Sequence, residues 1–379
     1  MKQSRSSARI QLAQCIIAAI FLLISLGCGG VSSGGTGASG SGGTGGGAPT
    51  GPLGVVTKSE PVACSGVNAS NGTANASCYK LTVSCPDVAN QDMTVKVNAP
   101  AGASLGTVLF TIGGGGSGWY DQRFTYGTLE LNTLIDANFT TAQLNWSINP
   151  VGFPTAGTFA GWLTGPGGPL KTACRWATAA KWVHDNSGIT RANTAFCATG
   201  NSGGSGAIAY ALAHYDLDSL FDMVEETAGP PYTRIDKGCI CDAASVQPTP
   251  CGQGTLSECF LGDAQLFIDP SYDPLGNVCS SAESTHSTAD AAMFLNDSIM
   301  GSTPKLSYPN TIVRFVFGGQ DATAAVPLAM EWQTAITAKD APTAGSTQID
   351  CVADAPHDMP SAQDAALKIA HDLIQFCHK

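Results

Sequence analysis

The residues best placed to do chemistry in this 379-residue chain lie around Ser202, in Gly200-Asn201-Ser202-Gly203-Gly204. An apolar run, Thr194 to Thr199, precedes it, and Ser205 to His214 follows with the composition of a helix. A buried strand, a glycine-bounded serine and a helix make up a nucleophile elbow. The sharp turn lifts the hydroxyl clear of the sheet, and glycines two before and two after tolerate the crowding. Gly203 then offers its N–H at a helix N-terminus, where partial positive charge favours a developing oxyanion. The G-x-S-x-G pattern alone says little in a chain with 45 glycines. It recurs at Gly30-Val31-Ser32-Ser33-Gly34 and at Gly102-Ala103-Ser104-Leu105-Gly106, and neither copy precedes a helix. Requiring both strand and helix leaves Ser202.

The elements needed to carry such a turn are legible on either side of it. Tyr79 to Ser84 and Met93 to Asn98 alternate apolar and polar residues, as antiparallel edge strands do. The texture then changes to buried strands alternating with helices. Strands are expected at Thr107–Ile112, Thr141–Trp146, 194–199, Leu220–Glu225, Thr311–Phe317 and Thr347–Ala353. Helices are expected at Tyr126–Ala137, Leu170–Asn186, Ser205–His214, Val326–Thr337 and Ser361–Phe376. That alternation predicts an α/β fold with a mainly parallel sheet covered on both faces. Residues 230–305 break it, with five cysteines among many turn formers. So long an irregular stretch implies a function or staples, and we read it as a cap at the carboxyl edge of the sheet, where ligands bind.

Composition narrows the function classes. The net charge is −11 and only 12% of residues are charged, so no basic face exists for nucleic acid or anionic lipid, and neutral substrates are expected. Residues 1–27 read as a secretory signal, with Lys2, Arg5 and Arg9 ahead of an apolar stretch from Ile10 to Leu26. Its end, Ile24-Ser25-Leu26-Gly27-Cys28, resembles a bacterial lipobox, which implies lipidation at Cys28. Residues 28–52 are mostly small and read as a flexible tether of roughly 25 to 30 Å root-mean-square reach. Residues 53–379 form the folded domain, and no later stretch is apolar enough to span a bilayer. A membrane is therefore met only through the lipid anchor.

The chain has 14 cysteines, of which Cys15 and Cys28 fall in the signal region. The other twelve, in an exported chain, predict about six disulfides. Cys64 with Cys78 or Cys85, and Cys351 with Cys377, are the expected local staples. A metal site at Cys239, Cys241 and Cys251 is disfavoured, because no histidine stands at zinc-like spacing and C-x-C is not the usual knuckle. No cofactor is implied.

Over Leu81 to Cys377 the chain resembles the α/β-hydrolase superfamily, in which nucleophile, acid and histidine follow in that chain order. The elbow at Ser202 comes first. Phe317-Gly318-Gly319-Gln320-Asp321, with Val326-Pro327 beyond, resembles the strand-end acid loop. Ala353-Asp354-Ala355-Pro356-His357 places a histidine between the last strand and the last helix. The resemblance implies Ser202 as nucleophile, His357 as base and Asp321 as the acid that orients it. His184, His214 and His371 fall in expected helices, His286 in the insertion and His378 at the tail. Glu225 and Glu226 are the alternative acids, while Asp354 and Asp358 stand too near His357 in sequence.

An oxyanion hole is implied at Gly203 plus one or two of the N–H groups in Gly113-Gly114-Gly115-Gly116-Ser117, which resembles an H-G-G-G loop with Gly113 in the histidine's place. Trp119, Tyr120, Trp146 and Trp162, with Phe153 and Phe159, are candidates for an aromatic substrate surface, or else for packing beneath the cap. The expected activity is an exported serine hydrolase, acting on carboxylic esters of a neutral small molecule or polymer. A peptidase or amidase on the same fold, and a surface binding protein with a dormant site, are the alternatives.

Overall fold

The computed structural model describes residues 51–64, 73–146, 161–242, 246–260, 264–273, 276–301, 303–339 and 346–379. The leader, Cys28, most of the tether, Phe153 and Phe159 lie outside the described residues. Nine strands form one sheet: β1 (Val55–Val62), β2 (Ser77–Cys85), β3 (Val88–Asn98), β4 (Gly106–Thr111), β5 (Phe139–Asn145), β6 (Ala195–Asn201), β7 (Met223–Thr227), β10 (Ile312–Gly318) and β11 (Ile349–Val352), in the spatial order β1-β2-β3-β5-β4-β6-β7-β10-β11. The first three strands pair antiparallel, β3 joins β5 antiparallel, and all pairings from β5 to β11 are parallel. β1 goes beyond the strands expected from sequence. A two-stranded hairpin, β8 (Val246–Pro248) with β9 (Thr255–Ser257), stands apart from this sheet.

Residues along the central strands serve two cores alternately, as a period of two requires. Leu109, Phe196, Ala198, Phe315 and Phe317 face one apolar cluster; Val108, Phe110, Ala195, Cys197 and Val316 face the other. The first cluster is completed by α3 (Gly168–Asp185), α4 (Gly203–His214) and α10 (Ala325–Lys339), the second by α1 (Tyr120–Arg123), α2 (Gly127–Asp136) and α11 (Gln363–Phe376). A parallel sheet buried on both faces must carry such continuous apolar strands. The architecture is the α/β-hydrolase fold, with a disulfide-rich insertion between β7 and β10.

The insertion holds β8, β9 and the helices α5 (Ile235–Ile240), α6 (Ala264–Phe267), α7 (Asp269–Tyr272), α8 (Val278–Thr285) and α9 (Thr288–Asp297). Its buried side chains Ile235, Ile268, Phe294 and Ile299 join the same cluster as α3 and α4. Tyr210 of α4 donates to Asp297 O at 2.6 Å, and His214 Nε2 meets Ile299 O at 2.9 Å. Burial pulls the His214 imidazole down to about 4. The insertion therefore shares the main core.

All twelve cysteines beyond Cys28 are paired: Cys64–Cys78, Cys85–Cys174, Cys197–Cys377, Cys239–Cys279, Cys241–Cys259 and Cys251–Cys351. Six bridges place the folded chain in an oxidising compartment. The expected staple Cys351–Cys377 is corrected. Cys377, at the end of α11, reaches Cys197 in β6, and Cys351 in β11 reaches Cys251 in the hairpin. Closeness in sequence misled because α11 runs between those positions and carries Cys377 away from the end of β11. Among the described residues, the one group of three metal-type ligands is Cys241, Cys259 and Glu283, and its two sulfurs are already joined to each other. No described helix is long and apolar enough to cross a membrane.

Candidate active site

The turn after β6 has the backbone that its sequence demands. Ser202 sits at φ 54°, ψ −118°, a region that a residue with a Cβ occupies only under strain of roughly 1 to 3 kcal/mol. Its surroundings hold it there. Ser202 N donates to Thr227 O at 2.8 Å, and Gly206 N donates to Ser202 O at 3.1 Å as α4 begins. A Cβ on Gly200 would stand 2.5 Å from Gly204 C, and one on Gly204 would stand 2.5 Å from Thr111 O. Both glycines are thus required by backbone approach. Ser205 Oγ ties the turn closed, within reach of Gly200 O at 2.6 Å and Thr227 O at 2.8 Å.

Asp321 and His357 arrive from the next two strand ends. β10 ends at Gly318 and β11 at Val352, and the loops beyond them are bonded to each other: Gly319 N donates to Val352 O at 2.8 Å and Gln320 N to Ala355 O at 3.1 Å. This pairing brings Asp321 Oδ2 to 2.8 Å from His357 Nδ1. The carboxyl is fully buried, while the imidazole is 28% exposed. The histidine loop is also fastened to the elbow strand, because Met359 N donates to Asn201 Oδ1 at 3.2 Å. Asn201 was not singled out from sequence. Its place beside the serine was the available signal, but its partner is 158 residues away.

Ser202 and His357 line one cavity of about 410 Å³, together with Gly113, Gly114 and Gly115. The alternative acids stand elsewhere. Glu225 and Glu226 are wholly buried in β7, and burial pushes both carboxyls well above their ordinary range. Asp372 beside Glu225 disfavours its charged form further, Glu226 lies by Ser205, and neither carboxyl meets the imidazole.

Among the glycines named for an oxyanion hole, Gly203, Gly114, Gly115 and Gly116 divide. Gly203 opens α4, so its N–H has no acceptor inside the helix, and its Cα packs on the backbone of Gly114 with the Tyr232 hydroxyl beside it. Gly114 and Gly115 line the cavity. Gly116 is corrected: its N–H donates to Gly113 O at 3.2 Å, closing a turn that aims it away. That turn is what lets the run double back with Gly114 at φ 60° and Gly116 at φ 79°.

The aromatic candidates divide as well. Trp119 lines the cavity. Tyr120, Trp146 and Trp162 are buried elsewhere, which corrects their expected contact with substrate. Tyr120 donates to Glu130 at 3.1 Å across α2. Trp146 N donates to Gly116 O at 3.0 Å and Trp162 N to Gly115 O at 2.9 Å, so these two residues brace the glycine run from beneath. The aromatic wall comes instead from Phe124, Tyr232, Phe260 and Phe267, the last three in or at the edge of the insertion. Phe267 lies directly against Gly114. The sequence offered no signal for these, since their neighbourhood exists only once the insertion folds over the sheet edge. The charged side chains at the mouth, Arg123 and Asp358, meet at 3.1 Å.

No family model and no curated protein matches the chain. Among solved structures, it is similar to Est1E from Butyrivibrio proteoclasticus, at 9% identity and a TM-score of 0.44 over 78% of this chain and 96% of that one. It is similar to carboxyl esterase 2 from the mycorrhizal fungus Tuber melanosporum, at 14% identity and a TM-score of 0.46 over 81% of this chain and 90% of that one. It is also similar to an acylaminoacyl peptidase from Pyrococcus horikoshii, at 10% identity and a TM-score of 0.45 over 80% of this chain and 48% of that one.

Proposed function

We propose that the protein is an exported serine hydrolase that cleaves carboxylic esters through an acyl-enzyme. The observation that carries this reading is the 2.8 Å contact of Asp321 with His357, at the rim of the cavity that Ser202 enters from a strained elbow. Ser202 Oγ attacks the ester carbonyl as His357 Nε2 takes its proton, giving a tetrahedral oxyanion. His357 returns that proton to the departing alcohol. Water then repeats the attack on the acyl-enzyme, with His357 again the base. Asp321 holds Nδ1 in its protonated tautomer and stabilises the imidazolium. The N–H groups of Gly203 and Gly114 are the donors for the oxyanion.

The walls support neutral, hydrophobic or aromatic esters. Trp119, Phe124, Phe260 and Phe267 supply apolar faces, and the Arg123–Asp358 pair leaves the mouth without net charge. In the same reading, Cys28 carries the lipid that holds the enzyme on a membrane through the tether. Incorporation of labelled palmitate into the wild type, and none into Cys28→Ala, is the expected outcome there.

The decisive experiment pairs a fluorophosphonate probe with p-nitrophenyl esters of graded chain length and one matched anilide. Labelling confined to Ser202, with esters turned over and the anilide spared, is expected. Faster anilide cleavage would make the protein an amidase. Absence of both labelling and turnover would leave a dormant binding surface.

A further inference from the structure

The pair of Asp321 and His357 has a third partner on the same loop. Thr323 Oγ1 lies 2.8 Å from Asp321 Oδ1 and 3.1 Å from His357 Nδ1, and Thr323 N donates to the same Oδ1 at 3.0 Å. Asp321 Oδ2 takes the imidazole at 2.8 Å. We propose that Thr323 is a positioning residue that fixes both the rotamer of Asp321 and the tautomer of His357. The proposal rests on the hydrolase reading above, and it concerns a residue to which that reading gives no part.

The argument is one of donor and acceptor counting. A threonine hydroxyl has one proton and two lone pairs, and an ionised carboxyl only accepts. Asp321 Oδ1 has no other side-chain donor among the described contacts, so the hydroxyl proton goes to it. The hydroxyl oxygen then turns lone pairs toward Nδ1 and Ala325 N, which stands 3.4 Å away. A hydroxyl so committed accepts from Nδ1–H and cannot donate to a bare Nδ1. The arrangement is self-consistent only when the imidazole proton is on Nδ1 and Nε2 is left as the base for Ser202. The opposite tautomer would pull the hydroxyl proton away from a fully buried carboxyl and leave Oδ1 with the backbone donor alone.

Thr323→Val removes the hydroxyl at nearly constant shape, Thr323→Ala removes it without any risk of overpacking, and Thr323→Ser keeps it. With a short p-nitrophenyl ester, kcat of the Val and Ala variants should fall about tenfold or more with KM within about twofold, while Ser stays within about threefold of wild type. Thr323→Val added to Asp321→Asn should cost little further, because there is then no carboxylate for it to hold. The low-field proton resonance of the His357 Nδ1–H should move in Val and Ala and be restored in Ser.

Wild-type kcat in both Val and Ala, measured beside an inactive Ser202→Ala, would overturn the positioning role and leave the hydrolase reading intact. A rise in KM alone would overturn it too, making Thr323 merely a wall of the cavity. Retained activity in Ser202→Ala would instead overturn the hydrolase reading itself. Should the Val variant fail to fold, the Ala and Ser pair decides by the same criteria.

Discussion

The two sides of the cavity are held by different physics. On the sheet side, the loops after β4, β6, β10 and β11 are locked by backbone contacts: Gly200 against Gly204, Gly319 to Val352, Gln320 to Ala355 and Ser202 to Thr227. On the insertion side, Tyr232, Phe260 and Phe267 present side chains from a segment fastened by Cys239–Cys279, Cys241–Cys259 and Cys251–Cys351. Backbone contacts fix atoms to fractions of an ångström and admit almost no substitution, which suits the groups proposed to react. A wall of side chains on a stapled segment can change shape without moving those groups, which suits the recognition proposed for it.

The comparison breaks most sharply at the reacting groups. Ser202→Ala and His357→Ala should each lower kcat for a simple ester by about 10⁴-fold or more with unchanged thermal unfolding, and the double variant should cost little beyond either. Steady-state assays with melting curves on pure protein check this. Near-wild-type turnover in either single variant would remove both residues from the mechanism.

The acids of adjacent strands sharpen it next. Asp321→Asn should cost about 10³- to 10⁴-fold in kcat, whereas Glu226→Gln should cost little, because burial already disfavours the charged form of that carboxyl and it does not meet the imidazole. The pH dependence has a definite sign. Since the folded carboxyl of Glu226 sits above its ordinary 4.5, it ionises more readily in the unfolded chain, and its stabilising contribution is lost as pH rises beyond that value. Relative to wild type, Glu226→Gln should therefore gain stability as pH rises above 4.5 in denaturant titrations. A parallel pH dependence in the two proteins would mean that Glu226 ionises alike in both states.

On the insertion side, the staple with an exposed end is Cys251–Cys351, which closes a separation of 100 residues. Replacing both cysteines by serine should lower unfolding free energy by about 2 to 4 kcal/mol. It should also loosen the hairpin from the acid loop, where Gln253 Nε2 donates to Gly318 O at 2.6 Å. Hydrogen exchange should rise first in β8 and β9, with hydrolysis of the shortest ester retained. Loss of all activity together with the whole fold would show that the insertion and the sheet unfold as one unit.

The smallest effect is expected at Phe267, whose ring lies on Gly114. Phe267→Ala should change the ratio of kcat/KM between bulky and acetyl esters by about tenfold while leaving the acetyl kcat within about threefold of wild type. An equal loss on all esters would place Phe267 with the backbone-locked side, as a support of the glycine loop.

The amino-acid sequence by itself determined the elbow and the alternation of strand and helix. Both depend on residues adjacent in the chain: an apolar strand, glycines at two positions where backbone meets backbone, and a helix. The loops that bear Asp321 and His357 were legible for a related reason, since each follows a strand that the apolar pattern reveals, and the resemblance to the α/β-hydrolases pointed to those two residues within them. Tertiary structure decided what depends on distant partners. Trp146 and Trp162 looked like loop aromatics near a site, yet they brace Gly115 and Gly116 from below, while Phe260 and Phe267 form the wall. Cys351 and Cys377 looked like neighbours, yet they bridge across 100 and 180 residues to other elements. Gly116 looked equivalent to Gly114 until a single turn spent its N–H on Gly113. Local pattern fixes which backbone can bend and which face is apolar; only the folded chain fixes which side chain meets which, because those contacts join segments whose separation carries no periodic signal.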